Sequence, residues 1–207
     1  MKYQYIIWDW NGTIMDDVGI ALDAVNDMLS QWCRPVISLK EYRKAIDTPI
    51  IHFYEHFFDM KETSFDWIAV RFNEYYAAHQ EDLSLQEGVL EKLEEFRQKG
   101  CRQIILSSSS EAIIKRYAQS YGIEKYFEAV LGADNLLSES KIQRAVRYFG
   151  ENQIDLTHAV LVGDTVHDFE VAQELGTDCV LLACGHQDRD SLAACGCPVY
   201  ENIREWG

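Results

Sequence analysis

The 207-residue chain predicts an α/β protein, a parallel sheet with helices on both faces, interrupted after its first strand by an all-helical insertion. Three observations carry this. From Gly88 onward, short apolar strand-like runs alternate with helical runs that stop at Gly100, Gly122, Gly150 and Gly176. Between Val18 and His79 the apolar period is helical throughout. The chain opens on Tyr3-Gln-Tyr-Ile-Ile-Trp, a β-branched and aromatic run that ends on Asp9 and turns through Asn11-Gly12.

In order, the opening run is a buried strand whose end faces the ligand crevice of an open sheet. Val18 to Trp32 places Val18, Leu22, Val25 and Leu29 at helical spacing behind Asp16 and Asp17, which suit a helix N-terminus. Helices follow over Leu39 to Asp47, from Thr48-Pro49 to Phe57, and from Thr63 or Ser64 to His79. Phe53, Tyr54, Phe57, Phe58, Phe65, Trp67, Phe72, Tyr75 and Tyr76 supply an aromatic core for this insertion. The alternating part reads as helix Val89 to Gln98, strand Arg102 to Ser107, helix Glu111 to Ser120 and strand Ala129 to Leu131. Helix Lys141 to Phe149, strand His158 to Gly163, helix Asp168 to Leu175 and strand Cys179 to Ala183 complete it. The boundaries are 1–15 with 86–207 for the sheet domain and 16–85 for the insertion.

Composition narrows the function. Hydrophobic residues at 47% and charged residues at 26% are those of a soluble globular chain. A net charge of -15 repels polyanions, so nucleic acid and anionic membrane are excluded as partners. Six cysteines, Cys33, Cys101, Cys179, Cys184, Cys195 and Cys197, follow no secretory leader and are expected as free, mostly buried thiols in a reducing cytoplasm.

Four strand ends carry polar residues. Asp9 ends the first strand, where Gly12 lets backbone pass close to a ligand; an Asx turn is the structural alternative. Val160-Leu-Val-Gly163 runs into Asp164 and Asp168, two carboxylates four residues apart, which suit a hard divalent cation. Alternatively Asp164 caps the next helix and Asp168 lies on its surface. Ser107 ends the second strand, with Ser109 or Ser110 as N-cap, and a hydroxyl beside a helix N-terminus makes an anion cradle or a plain loop. Lys141 stands in the first turn of a helix, against the macrodipole. Together these residues point to a cation held by Asp9 and Asp164, a phosphate gripped by Ser107 and Lys141, and Asp9 placed to attack phosphorus. His158 reads as structural and His167 as within reach of the crevice.

With these motifs the chain resembles the haloacid dehalogenase-like hydrolase superfamily, specifically the phosphoglycolate phosphatase-like group with a helical-bundle cap. Asp9-Trp-Asn-Gly-Thr13, Ile104-Ile-Leu-Ser107, Lys141 and Gly163-Asp164-Thr-Val-His-Asp168 match its four motifs in order. The resemblance implies a Rossmann-like sheet domain and a Mg²⁺-dependent phosphatase acting on a small phosphorylated metabolite, as monomer or homodimer. It implies Asp9 as nucleophile, and Asp9, the Asn11 carbonyl and Asp164 around Mg²⁺ with Asp168 supporting them. Ser107 and Lys141 would hold the phosphoryl group beside Gly12, Thr13 and Ser108. The insertion would be a mobile cap whose loop around Arg43, Lys44 and His52 faces the site.

The chain departs from that family at one position. A second aspartate, the proton carrier, usually stands where this chain has Asn11, and such catalysis is worth about 10²–10⁴-fold. Slow turnover, substrates with good leaving groups, or recruitment of His167 or water as the proton carrier follows from the exchange. Asn11 also leaves open a non-catalytic phospho-ligand-binding or regulatory protein. Carbon-phosphorus hydrolysis through a cap lysine (Lys40, Lys44 or Lys61) is a third reading.

Overall fold

The computed structural model describes residues 2–133 and 140–206. Its strands are β1 (Tyr5–Trp8), β2 (Met15–Asp16), β3 (Ser84–Leu85), β4 (Arg102–Ser110), β5 (Ala129–Ala133), β6 (Ala159–Gly163), β7 (Asp178–Leu182) and β8 (Val199–Tyr200). Six of them form one parallel sheet in the order β5-β4-β1-β6-β7-β8. Parallel pairing in register (Trp8 opposite Ile105 and Val162) delivers the C-terminal ends of β1, β4 and β6 to one edge of the sheet. That edge is where Asp9, the serine run and Gly163-Asp164 emerge.

The pleat sends alternate residues to opposite faces. Ile6 and Trp8 pack into one core with Val89, Leu93 and Ile114, while Tyr5 and Ile7 pack into the other with Ala145, Phe149 and Val171. These partners come from helices α5 (Val89–Gln98) and α6 (Glu111–Ser120) on one face, and α7 (Lys141–Glu151) and α8 (Val166–Leu175) on the other. A short α9 (Arg189–Ala193) follows.

Between β2 and β3 lie α1 (Val18–Gln31), α2 (Leu39–Ala45), α3 (Ile51–Glu55) and α4 (Phe65–Ala78). They pack around their own core, in which Val25, Met28, Phe53, Tyr54 and Ile68 are buried. The chain leaves the sheet along β2 and returns along β3, and these two strands pair antiparallel, Met15 opposite Leu85 and Asp16 opposite Ser84.

Several boundaries differ from the sequence reading. α7 passes through Gly150 to Glu151, because an interior glycine costs only about 1 kcal/mol and buried Phe149 holds the turn against the sheet. β4 continues past Ser107 to Ser110 through a shift in its register with β5. α8 begins at Val166, capped by Thr165 rather than by Asp164. Of the cysteines, which are all free, Cys101 and Cys179 are buried, Cys33 is exposed, and the others lie between.

Candidate active site

Asp164 and Asp168 reach the sheet edge by different routes. Thr165 and Asp168 form a capping box, in which the Asp168 side chain accepts from the Thr165 amide at 3.0 Å and hydroxyl at 2.7 Å. That box turns the Asp168 carboxylate inward, where it is 1% exposed, so it is no surface residue. Asp164, freed from capping, accepts from the Thr13 hydroxyl at 3.0 Å and from the His186 amide at 2.7 Å. Thr13 therefore spends its hydroxyl on Asp164. Two glycines make room: a Cβ at Gly12, where φ is +71°, or at Gly185 would lie 2.2 Å from Asp164 Oδ2.

Asp9, Asp164 and Asp168 each offer an oxygen within 4.8 Å of the others. Lys141 Nζ bridges two of them, donating to Asp9 Oδ1 at 2.5 Å and Asp168 Oδ1 at 2.6 Å. Burial opposes the Lys141 charge, but Asp168 and Asp9 outweigh it and hold its pKa above the ordinary lysine value. Burial likewise works against the Asp168 carboxylate, and Lys141 outweighs it and keeps its pKa low. The other two are short of positive charge. Burial pushes the Asp9 carboxyl well above the usual range despite Lys141, and pushes Asp164 up to about 6 despite His186. Three carboxylates against one lysine leave two formal negative charges among hard oxygen donors, which is the charge and chemistry of one divalent cation such as Mg²⁺.

These residues form the floor of a cavity of about 670 Å³. Asn11, Ser107, Ser108 and Lys141 line it with the three aspartates, and Tyr42, Ile50, Phe53, Phe72 and Tyr76 wall it from the inserted helices. Ser107 is buried and its Oγ accepts from the Ser109 amide at 3.1 Å. Ser110 occupies the N-cap position of α6 without a side-chain cap bond, and Ser109 turns to the site. Arg43 is not among the lining residues: its guanidinium donates to the Cys184 carbonyl at 2.5 Å. Lys44 and His52 are exposed, and His52 lies 3.6 Å from Asp47. His167 lines the cavity and faces Glu170 at 3.3 Å. His158 is exposed, and its carbonyl accepts from the Gln4 amide.

Sequence reasoning missed a second buried cluster beside the aspartates. Asp17 stands at the N-cap of α1 but makes no side-chain cap. Its carboxylate instead accepts from Asn11 Nδ2 at 2.7 Å, the Gly12 amide at 2.7 Å and the Tyr76 hydroxyl at 3.1 Å, and lies 3.2 Å from His186 Nε2. His186 Nδ1 is 2.9 Å from the Tyr42 hydroxyl. Burial disfavours the His186 charge, but Asp17 more than compensates and its pKa rises to about 9. Asp17 stays low, because His186 and the donors from Asn11 and Gly12 overcome its burial. The Asn11 amide is thereby locked: its oxygen accepts from the Ser109 hydroxyl at 2.5 Å and its nitrogen donates to Asp17 and Tyr76. A second acidic residue directly after Asp16, and a histidine directly after Gly185, were the available signals.

Residues 6–182 match the family model described as haloacid dehalogenase-like hydrolase. The chain belongs to the haloacid dehalogenase-like hydrolases. Among relatives, it is 26% identical over 190 residues to the tyrosine-protein kinase PtkA of Mycobacterium tuberculosis, covering 91% of this chain and 65% of that protein. It is 25% identical over 194 residues to a phosphoglycolate phosphatase of Caulobacter vibrioides, covering 88% of this chain and 80% of that one. The fold matches a haloacid dehalogenase-like family hydrolase from Streptococcus pneumoniae with a TM-score of 0.84 at 17% identity, covering 99% of this chain and 96% of the other. The solved structure of the M. tuberculosis PtkA follows at 0.78 and 23%, covering 98% and 95%.

Proposed function

We propose that this family member is a Mg²⁺-dependent phosphatase that hydrolyses a small phosphomonoester through an aspartyl phosphate on Asp9. The observation that carries the reading is the convergence of Asp9, Asp164 and Asp168 around one lysine at the floor of a cavity. The relatives named phosphoglycolate phosphatase support hydrolysis of a phosphoryl ester.

Asp9, Asp164 and the Asn11 carbonyl would hold the Mg²⁺, with Asp168 as support. When bound, the cation neutralises charge between the carboxylates and the substrate phosphate. Lys141 holds Asp9 Oδ1, which leaves Oδ2 as the attacking oxygen, and its ammonium with the Ser107 hydroxyl offers positive charge and a donor to the phosphoryl oxygens. The capping box fixes Asp168, and Asp168 in turn fixes Lys141. The helices of residues 16–85 form the cap that covers the substrate, and the β2–β3 ribbon is the joint on which it moves.

Asn11 supports a second reading, a phospho-ligand-binding or regulatory protein without turnover, because an amide carries no proton to a leaving alcohol. One experiment separates them. Release of inorganic phosphate from a panel of phosphomonoesters is measured with Mg²⁺ and with EDTA, in wild type and Asp9→Ala. A rate that needs Mg²⁺ and vanishes in Asp9→Ala is expected; a rate that survives Asp9→Ala overturns the mechanism, and no rate on any ester favours the binding protein.

A further inference from the structure

We propose that the leaving group is an aromatic alcohol, so that the substrate is an aryl phosphomonoester; this rests on the phosphatase reading above. Two independent features point to it, one in the wall of the cavity and one at position 11.

The wall is large, apolar and without a spare cation. A cavity of about 670 Å³ falls in the range of roughly 300–1,000 Å³ that encloses ring-bearing ligands, far more than a two-carbon acid phosphate fills. The inserted helices face it with Ile50, Phe53, Tyr54, Phe65, Phe72 and Tyr76. Their charged contributions are Asp17 and Asp47, and no lysine or arginine of this segment lines the cavity. The basic side chains that do reach it are engaged. Lys141 lies between Asp9 and Asp168, His186 against Asp17, and His167 against Glu170. A carboxylate on the leaving group would meet the Asp47 carboxylate and find no cation left to pair with among the described residues. An aromatic ring would meet aromatic faces and edges.

Position 11 selects in the same direction. The Asn11 nitrogen donates to Asp17 and Tyr76 and its oxygen accepts from Ser109, so this amide is held in place and has no ionisable proton to give. An aliphatic alcohol expelled without a proton departs as a strongly basic alkoxide. A phenol departs as phenolate, whose conjugate acid has a pKa of about 10, as in tyrosine.

The step balances without a protein acid. Asp9 Oδ2 attacks phosphorus, the bond from phosphorus to the aryl oxygen breaks, and its electron pair leaves on the phenolate. Water then attacks the phosphorus of the acyl phosphate and the bond to Oδ2 breaks back to the carboxylate. Both protons of that water stay on the released dihydrogen phosphate, which hands one to the phenolate in solution.

The test uses the full chain with Mg²⁺ and has two arms. Turnover is compared for phenyl phosphate and larger aryl phosphates against phosphoglycolate and glycerol phosphate. Binding is compared for phenylphosphonate against methylphosphonate by calorimetry, where no leaving group departs. The expected result is kcat/KM at least about 10²-fold higher for the aryl esters, and phenylphosphonate bound at least about tenfold tighter. Phe72→Arg, which supplies the missing cation, should raise kcat/KM for phosphoglycolate and lower it for phenyl phosphate. Comparable kcat/KM for phosphoglycolate and phenyl phosphate, or equal binding of the two phosphonates, overturns the aryl assignment while leaving the phosphatase intact. Absence of phosphate release from every ester removes the phosphatase itself, and this inference with it.

Discussion

Asn11→Asp restores the carboxylate usual in the family, and the geometry defines its cost. Asn11 Nδ2 lies 2.7 Å from Asp17 Oδ2, so an aspartate in the same rotamer sets two carboxylate oxygens together where an N–H···O bond stood. At an effective dielectric constant of about 20, unit charges that close repel by roughly 6 kcal/mol. The pair escapes most of this by binding one proton. Taking up that proton near neutral pH costs a carboxylate of ordinary pKa roughly 4 kcal/mol, which sets the ceiling on the destabilisation. For a chain of this size that is a melting point lower by about 10 °C. The double substitution Asn11→Asp/Asp17→Asn reverses the hydrogen bond and removes the clash, and the new amide oxygen still faces the Gly12 N–H. Denaturation in EDTA should show the single variant destabilised by up to about 4 kcal/mol near neutral pH. The loss should shrink on acidification, and in the double variant its pH dependence in the acidic range should disappear, while the stability returns only in part because His186 loses Asp17 as its counter-ion. The double variant also regains a proton carrier, so its turnover of alkyl phosphates should rise about 10²-fold or more. If Asn11→Asp is as stable as wild type from mildly acidic to neutral pH, the Asn11–Asp17 contact does not constrain position 11 and the reasoning fails.

Other predictions concern the two buried ion clusters. Lys141→Met leaves Asp9 and Asp168 buried without their cation, and breaking a buried pair in this way costs about 3–5 kcal/mol; a denaturation midpoint in EDTA that does not move contradicts the bridge. His186, raised from 6.5 to about 9, gives stability that is fully present below its unfolded pKa and lost as pH rises through the folded one. The span corresponds to an upper limit of about 3 kcal/mol. Wild type in EDTA should therefore lose stability between neutral and alkaline pH more steeply than His186→Gln, and parallel curves for the two proteins refute the pairing with Asp17. Asp17 has the opposite sign: its contribution is present above the ordinary carboxylate range and is lost as pH falls through its lowered pKa.

Legibility followed the sheet. Asp9, Ser107 and Asp164 could be read as neighbours because parallel strands bring their C-terminal ends to one edge, and a strand-end residue then has a known location. Asp168 and Lys141 were legible as the first turns of helices that start from that edge. The Asp17, Asn11, Tyr76, Tyr42 and His186 cluster was not, because its members come from β1's turn, three inserted helical positions and the loop after β7. Their meeting depends on how those helices lie over the sheet, which no local period encodes. Arg43 shows the same limit. Its neighbour Tyr42 faces the site through His186, and one residue further round the helix the guanidinium meets the Cys184 carbonyl instead. The serine run was ambiguous for a simpler reason: four identical residues carry no register, and the shift between Leu106 and Ser110 decides which hydroxyl faces Asn11.

Peptide mapping of protein quenched in acid during turnover of phenyl phosphate with Mg²⁺ goes straight to the chemistry. A hydroxylamine-labile phosphoryl adduct is expected on Asp9, lost with EDTA and in Asp9→Asn. Steady phosphate release with the adduct on another residue, or undiminished by Asp9→Asn, would contradict the account.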